Sequence, residues 1–157
     1  IYDIVAILGI ETTYGRKKSL GQFNAFNALY SRYLDFPEKR EWVAEEIAHL
    51  IKLAEENNLD IFEINGSYCG CIGIGQFLPS SWNNYFVDGN KDGQKDPFNL
   101  EDAVYSIANY LKHAGYDAEN NEKRYKAIYE YNHSDMYVKV ILALSDKLKK
   151  IDEAKHI

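Results

Sequence analysis

The chain has 157 residues, of which 46% are hydrophobic, 27% are charged and 14% are aromatic, and its net charge is −6 with a pI near 5.2. The negative charge argues against a nucleic-acid backbone as partner, and no apolar run approaches the length of a membrane span. This length suits a single domain with its own core, and the 13 tyrosines suit either that core or a groove that stacks on sugar rings.

Residues 4–15, with the sequence IVAILGIETTYG, place a single carboxylate at the end of an apolar run. The run predicts a buried helix, and Gly15 suits a stop just beyond its last turn. Glu11 then lies near the carboxyl end of the helix, where the backbone carbonyls make the field negative. Burial and this field both predict a raised pKa for Glu11, as a general acid requires. The alternative is a helix-terminal glutamate whose carboxylate reaches solvent.

Two amphipathic helices are predicted next. Apolar and aromatic side chains at helical spacing predict a helix that runs to about Phe36, with its aromatic rings in the core. A longer helix is expected between Glu38 and Asn58, with Trp42 on its buried face. Its acidic residues, Glu46 among them, are assigned to the solvated face and to no chemical role.

Residues 66–82, with the sequence GSYCGCIGIGQFLPSSW, break the helical pattern with four glycines among small side chains. Glycine at this density allows the backbone to approach a ligand closely or to take a positive φ. Ser67 and Gln76 are the polar side chains able to hydrogen-bond a ligand from this loop. A structural cluster of turns is the alternative. Pro79 predicts the start of a short helix.

The chain contains two cysteines, Cys69 and Cys71, only two positions apart. This spacing does not readily close a strain-free disulfide and is too sparse for a zinc site. We therefore expect two small, buried side chains.

Residues 88–96, with the sequence DGNKDGQKD, carry the ligand spacing of an EF-hand loop and predict bound Ca²⁺. Oxygen-bearing side chains occupy the first, third, fifth and ninth positions, Gly93 allows the sharp turn, and Gln94 offers its backbone carbonyl. The twelfth position is Asn99 instead of the usual glutamate, so Asp102 is the expected substitute. The alternatives are a capping box with Asn99 as the N-cap, and a polar turn without a metal.

The last third of the chain predicts further helices. One begins at Asn99 and stops at Gly115, and another ends at Tyr131 and Asn132, which could face a groove or could cap and pack. A final helix is predicted with Met136, Val140, Ile141, Leu144 and Leu148 on its apolar side. Residues 147–157 are expected to fray as a charged tail. No stretch alternates with period two. The predicted fold class is mainly α, with at most a minor hairpin.

Taken in order, these segments closely resemble the catalytic domain of the lytic murein transglycosylase B family (glycoside hydrolase family 103). The resemblance covers residues 1–144. It implies a lysozyme-like fold of the goose-type and soluble lytic transglycosylase kind, with a long glycan groove. It also implies exported bacterial enzymes of the periplasm or cell envelope that cleave peptidoglycan between N-acetylmuramic acid and N-acetylglucosamine. The motifs that carry it are GIETTYG, GSYCGCIGIGQFLPSSW, the EF-hand-like loop, DAVYSIANYL and YNHS.

Carried over by position, the resemblance assigns the catalytic acid/base to Glu11. The carboxyl would protonate the glycosidic oxygen and then activate the muramyl 6-hydroxyl, so that the product is a 1,6-anhydro sugar. This intramolecular attack requires no second carboxylate. Substrate-binding residues are implied at Ser67, Tyr68, Gln76, Tyr131 and Asn132. Ligands of a structural Ca²⁺ are implied at Asp88, Asn90, Asp92, the Gln94 carbonyl and Asp102, with Asp96 as a spare carboxylate.

Two departures from the family pattern affect these expectations. Cys69 and Cys71 stand where the family usually has alanines. The family's sequence before the catalytic helix, which contributes a lobe beside the groove, is not present in residues 1–157, so we expect a single catalytic domain without that lobe.

Three alternatives remain open. A lysozyme-type hydrolase would need a second carboxylate, for which Asp35 and Glu130 are the candidates. A non-catalytic peptidoglycan- or calcium-binding module would bind glycan without turnover. A fragment would depend on a partner chain or a missing lobe. The expected partner is the peptidoglycan glycan strand, the expected state is a monomer, and any membrane anchor would lie outside this chain.

Overall fold

The computed structural model describes residues 1–155, and these residues are mainly helical, as predicted. The helices are α1 (Tyr2–Thr12), α2 (Ala25–Asp35), α3 (Arg40–Glu56), α4 (Pro79–Tyr85), α5 (Leu100–His113), α6 (Asn121–Tyr131) and α7 (Asp135–Lys155). Two 3₁₀ turns, Lys17–Ser19 and Pro37–Lys39, and two short strands, β1 (Phe23–Asn24) and β2 (Asn65–Gly66), complete the described elements. None of the described helices has the length and apolar character needed to cross a membrane.

The small sheet joins distant parts of the chain. β1 pairs antiparallel with β2, with Phe23 opposite Gly66. Because α2 and α3 lie between the two strands, this element is not the minor hairpin that the sequence allowed. Ile72 forms bridges to both Gly66 and Phe77, so the glycine-rich loop is fixed against β2.

Helix α1 lies in the core and carries the GIETTYG motif. Its side chains Ala6 and Ile7 are fully buried, and the helix packs against α7 and α5. A second group forms where α3 packs against α2 and α4, with Leu29, Val43 and Leu50 fully buried. The position of α1 is therefore set by its packing against later helices.

The prediction that the aromatic rings of α2 lie in the core is wrong for several of them. Leu29 is fully buried, but Tyr30 is 48% exposed and Phe36 is 40% exposed. The Tyr30 ring stacks on Phe26 and Tyr33 along the helix surface, with centroid distances of 6.0 and 6.4 Å. Trp42 of α3 is also partly exposed. Periodicity located the helices, but it overestimated the width of their buried faces.

Glu46 is not on a solvated face, contrary to the prediction. It is only 2% exposed, because α4 covers this side of α3. Its two carboxylate oxygens accept hydrogen bonds from the backbone N–H and the hydroxyl of Ser80, at 2.9 and 2.6 Å. A carboxylate beside the first turn of a helix satisfies free backbone donors and interacts favourably with the helix dipole.

The predicted frayed tail is helical as far as it is described. Helix α7 continues to Lys155, and Tyr2 donates a hydrogen bond to Asp152 at 2.8 Å. Residues 156 and 157 of the predicted tail lie outside the described residues. This hydrogen bond joins the tail to α1, a contact that the charge pattern of the tail did not predict.

Candidate active site

A cleft of about 390 Å³ contains Glu11 and all five predicted sugar-binding residues. Glu11 comes from α1, Ser67, Tyr68 and Gln76 come from the glycine-rich loop, and the remaining two come from the end of α6. A larger cavity of about 550 Å³, beside the carboxyl end of α3, contains none of these six residues. The remaining residues of the cleft are Cys69, Cys71, Phe77, Leu78, Ser81 and Tyr110.

Glu11 lies in the last turn of α1 and accepts a hydrogen bond from the Tyr137 hydroxyl, at 2.6 Å from Oε1. Burial raises the pKa of Glu11, and the hydrogen bond from Tyr137 opposes that shift. The direction agrees with the sequence prediction, with burial as the main cause. The alternative in which this carboxylate simply reaches solvent is wrong.

The chain leaves α1 through three successive residues in the left-handed region. Their φ angles are 51° at Thr13, 60° at Tyr14 and 78° at Gly15. The N–H groups of Thr13 and Tyr14 donate to the carbonyls of Gly9 and Leu8, which closes the helix end. Only glycine adopts this region without a steric cost, so the β-branched Thr13 marks backbone strain two residues after Glu11.

Thr12 ties this helix end to the glycine-rich loop. It is fully buried, and its Oγ1 donates to the Ile74 carbonyl at 2.9 Å and accepts from the Gly15 N–H at 3.0 Å. Thr12 directly follows Glu11, so this pair of hydrogen bonds fixes the catalytic candidate relative to the loop that faces it.

The two polar side chains of the glycine-rich loop are partly engaged with the loop itself. Ser67 Oγ accepts from the N–H groups of Cys69 and Cys71, at 3.3 and 3.2 Å. Gln76 has a φ of 50°, and its Nε2 donates to the Gly73 carbonyl at 2.8 Å. The Ser67 hydroxyl proton and the Gln76 carbonyl oxygen are thus the groups these residues can offer to a ligand.

The other three predicted binding residues differ in exposure. Tyr68 is 69% exposed at the cleft, which suits stacking on a sugar. Tyr131 is partly buried, donates its hydroxyl to the Gly75 carbonyl and packs its ring against Phe77. Asn132 is exposed just beyond α6. Tyr131 therefore supports the loop, whereas Tyr68 and Asn132 present groups to the cleft.

Sequence reasoning missed Tyr137, because the predicted apolar side of α7 was only partly right. Ile141 is fully buried and Leu144 and Leu148 pack against the core, as predicted, but Met136 is 70% exposed and Val140 is 41% exposed. The buried face includes Val138 instead, and the adjacent Tyr137 reaches Glu11 of α1. No local motif marks this tyrosine, since its role depends on how α1 and α7 pack.

Neither candidate for a second carboxylate lies in the cleft. Asp35 is exposed at the end of α2. Glu130 is exposed, with its carboxylate 3.7 Å from His133 Nε2. Among the described residues that line the cleft, Glu11 is the single carboxylate.

The loop of residues 88–96 is curled by hydrogen bonds from its own backbone to the predicted ligand side chains. Asp88 accepts from the N–H groups of Asp92 and Gly93, at 3.2 and 2.8 Å. Asn90 Oδ1 accepts from Asp92 N–H at 3.0 Å, and Asp92 Oδ1 accepts from Gln94 N–H at 2.9 Å. Gly93 has a φ of 91°, which fits the predicted turn. The donor types fit Ca²⁺, a hard cation that prefers oxygen ligands.

Asp102 has different surroundings from the rest of the predicted ligand set. It is fully buried, and its carboxylate accepts from the N–H groups of Gly89, Asn90 and Asp96, at 2.8, 3.2 and 2.8 Å. Asn99 is the N-cap of α5, as the capping-box alternative predicted. The box itself is not formed, because the Asn99 N–H donates to the Asp96 carbonyl and not to Asp102.

The described residues contain no group of three or more His, Cys, Asp and Glu side chains that could hold a metal. Asp102 is therefore not gathered with Asp88 and Asp92 into a ready acidic cluster. Its carboxylate instead accepts hydrogen bonds from backbone N–H groups of the loop.

The chain is similar in sequence and in fold to known proteins. A family model described as a transglycosylase SLT domain matches residues 2–124. The chain is 34% identical over 113 residues to the membrane-bound lytic murein transglycosylase B of Escherichia coli, an alignment that covers 72% of this chain. The chain spans 31% of that relative's length.

Solved structures share the fold. The soluble lytic transglycosylase SltB1 of Pseudomonas aeruginosa aligns with a TM-score of 0.89 and 23% identity, over 97% of this chain and 71% of that one. The Escherichia coli lytic transglycosylase Slt35, solved in complex with calcium, aligns with a TM-score of 0.86 and 23% identity, over 92% of this chain and 64% of that one. Since the family model covers most of the chain and the solved folds match, the chain belongs to the transglycosylase SLT domain family.

Proposed function

We propose that this domain is a lytic transglycosylase that cleaves the β-1,4 bond between N-acetylmuramic acid and N-acetylglucosamine in peptidoglycan and leaves a 1,6-anhydromuramic acid end. The observation that carries this proposal is a cleft with one carboxylate, Glu11, whose pKa is raised by burial. Hydrolysing glycosidases use two carboxylates. An attack by the substrate's own hydroxyl needs only one acid/base group, because proximity replaces a bound water. The Escherichia coli relative is named a lytic murein transglycosylase, which is the same class of enzyme.

In the first step, protonated Glu11 donates its proton to the glycosidic oxygen as the bond from that oxygen to C1 of the muramyl sugar breaks. The resulting Glu11 carboxylate then accepts the proton of the muramyl 6-hydroxyl. At the same time the oxygen of that hydroxyl bonds to C1. Burial favours the protonated form and the Tyr137 hydroxyl favours the ionised form. Burial is the larger of the two effects, so the pKa of Glu11 is raised, which favours the protonated acid that the first step requires.

We assign the binding of the glycan to the groups that remain available in the cleft. Ser67, Gln76 and Asn132 offer hydrogen bonds, and Tyr68 offers a face for stacking. Tyr131 acts on the glycan indirectly: its hydroxyl already donates to the Gly75 carbonyl, so it holds the loop that binds the glycan. The partner is then a peptidoglycan glycan strand, which places the protein in the envelope of a bacterium after export. We expect a monomer.

The test of the activity is mass spectrometry of purified peptidoglycan after digestion with the parent chain and with Glu11→Gln. We expect anhydromuramyl products from the parent and a loss of about 10³-fold or more in the variant, since removing the proton-transfer group removes both steps. Asp35→Asn, which changes an exposed carboxylate outside the cleft, is the matched control and should retain the parent rate. Reducing-end products would identify a hydrolase, and a folded parent without products would identify a binding module.

We also propose that the loop of residues 88–96 binds Ca²⁺ through Asp88, Asn90, Asp92 and the Gln94 carbonyl. Support comes from the oxygen donors of the curled loop and from Slt35, which was solved in complex with calcium. Bound Ca²⁺ would supply structural stabilisation to the segment between α4 and α5. In this proposal Asp102 supports the loop by accepting its backbone N–H groups.

Thermal unfolding with and without Ca²⁺ tests this site. A ligand present at 100 times its Kd stabilises the folded state by about 2.7 kcal/mol, so the melting temperature of the parent should rise. Asp88→Asn should lose that response. Asp96→Asn, which changes another carboxylate of the same loop, is the matched control and should keep it. A parent melting temperature that does not change when Ca²⁺ is added would contradict the proposal.

A further inference from the structure

The two cysteines line the cleft that contains Glu11, and the proposed reaction uses neither of them. Both are free thiols and both are partly buried. They flank Gly70, which has a φ of 83°, in a turn closed by the hydrogen bond from the Ser67 N–H to the Cys71 carbonyl. The cleft thus holds two nucleophilic sulfurs on a structured loop.

Cys69 has a cationic neighbour. Nη1 of Arg32 in α2 donates to Cys69 Sγ at 3.7 Å. Nε of the same guanidinium is buried and has no hydrogen-bond partner within residues 1–155, so the group has unused donor capacity beside the sulfur.

Cys71 has a different environment. Burial raises the pKa of Cys71 to about 11. Near neutral pH it therefore holds on the order of a hundredfold less thiolate than an ordinary cysteine, and the thiolate is the nucleophile. A bond between Cys69 and Cys71 is also disfavoured by their spacing. An adduct formed on Cys69 would thus not be displaced readily by Cys71.

We propose that Cys69 is a site of reversible modification by small anionic disulfides, and that the adduct closes the cleft to glycan. The second part rests on the proposed function. The Cys69 thiolate, having released its proton to solvent, attacks one sulfur of the reagent. The reagent's S–S bond breaks, a mixed disulfide forms, and the other half leaves as a thiolate. Cys69 is oxidised as the leaving half is reduced, and the bound half then occupies part of the 390 Å³ that contains Glu11.

The first experiment measures the modification itself, independently of turnover. The native protein is treated near neutral pH with 5,5′-dithiobis(2-nitrobenzoate), and both the released thiolate and the intact mass are recorded. The parent and Cys71→Ala should each take up one equivalent, whereas Cys69→Ala should take up none in the same interval. Uptake by Cys69→Ala equal to that of the parent, or loss of uptake in Cys71→Ala, would overturn the assignment.

The second experiment tests the role of Arg32. The rate of the anionic reagent is compared with that of neutral 2,2′-dithiodipyridine. Arg32→Gln should lower the anionic rate about tenfold relative to the neutral rate, because the guanidinium beside Cys69 Sγ attracts anions. An equal change with both reagents would show that Arg32 only shapes the loop.

The third experiment tests closure of the cleft. The labelled parent should digest peptidoglycan at least tenfold more slowly than the unlabelled parent, and dithiothreitol should restore its rate. Cys69→Ala, treated in the same way, should keep its own untreated rate. A labelled parent with an undiminished rate would overturn closure. An unlabelled parent without products would count against the proposed function, and closure would then be scored by calorimetric binding of an N-acetylglucosamine oligomer.

Discussion

Glu11 is subject to two opposing influences on its proton. Burial at the end of α1 favours the neutral acid, and the hydroxyl of Tyr137 favours the carboxylate. In a one-carboxylate mechanism the same group must first donate and then accept a proton. The net pKa of Glu11, which combines the two effects, therefore matters more for the reaction than the size of either effect.

Tyr137→Phe should shift that balance toward the neutral acid. The variant removes the hydrogen bond that lowers the pKa of Glu11 and leaves the burial that raises it. Donation to the glycosidic oxygen requires protonated Glu11, so the pH at which activity declines on the alkaline side should move upward. The measurement is the pH profile of peptidoglycan digestion, with Tyr125→Phe as control, because Tyr125 donates to Asp135 outside the cleft. A profile displaced to lower pH would contradict this account.

At the scale of elements, the site depends on the junction between α1 and the glycine-rich loop. Thr12 binds the loop at Ile74, and Tyr131 binds it one residue later at Gly75. These contacts come from opposite ends of the chain and meet on adjacent carbonyls. The loop residues that face Glu11 are therefore held from two helices rather than by local turn structure alone.

Thr12→Val should destabilise this junction while keeping the shape of the side chain. It leaves the Ile74 carbonyl and the Gly15 N–H without their buried partner, which costs about 1–3 kcal/mol for an unsatisfied group. The measurement is the free energy of unfolding in urea. Thr13→Val is the matched control, because Thr13 is exposed and the change keeps the β-branched residue in its left-handed conformation. Equal effects of the two variants would contradict a specific role for Thr12.

At the scale of the whole molecule, α1 is anchored at its amino end as well. Arg124 of α6 donates to both carboxylate oxygens of Asp3, at 2.8 and 2.6 Å, and also to Ser145 of α7 at 3.0 Å. Tyr116 donates a further hydrogen bond to Asp3. This buried network joins three helices at one end of α1, while Glu11 lies at the other end.

Asp3→Asn should destabilise the protein by about 3 kcal/mol near neutral pH, since it leaves a largely buried Arg124 with only the exposed Asp146, at 3.4 Å, as counter-charge. Burial raises the pKa of Asp3, but the hydrogen bonds from Arg124, Tyr116 and Ser145 outweigh it, and the net shift is downward. A depressed folded pKa contributes stability that is present above the unfolded value, about 3.9, and is lost as the pH falls through the folded value. The difference between parent and variant in thermal unfolding should therefore shrink below about pH 4. A difference that is constant with pH would contradict this role.

Much of the helical order and of the cleft was accessible from the sequence, because both are encoded locally. The apolar run before Glu11, the proline at position 79 and the N-cap Asn99 each specify a helix or its boundary through their own backbone preferences. The motif order likewise predicted which residues would meet, and all six residues predicted for acid and glycan line one cleft.

Tertiary packing determined the burial and the hydrogen-bond partners of those residues. The hydrogen bonds of Glu46 to Ser80 and of Tyr137 to Glu11 join residues far apart in the chain. The amide contacts of Asp102 likewise depend on how α5 meets the preceding loop. Helical periodicity defines an apolar stripe only to within part of a turn, and a shift of that size exchanges an exposed side chain for a buried one. The sequence by itself therefore determined the family, the helices and the candidate for the acid. Only the packing of α1 against α7 determined how that acid holds its proton.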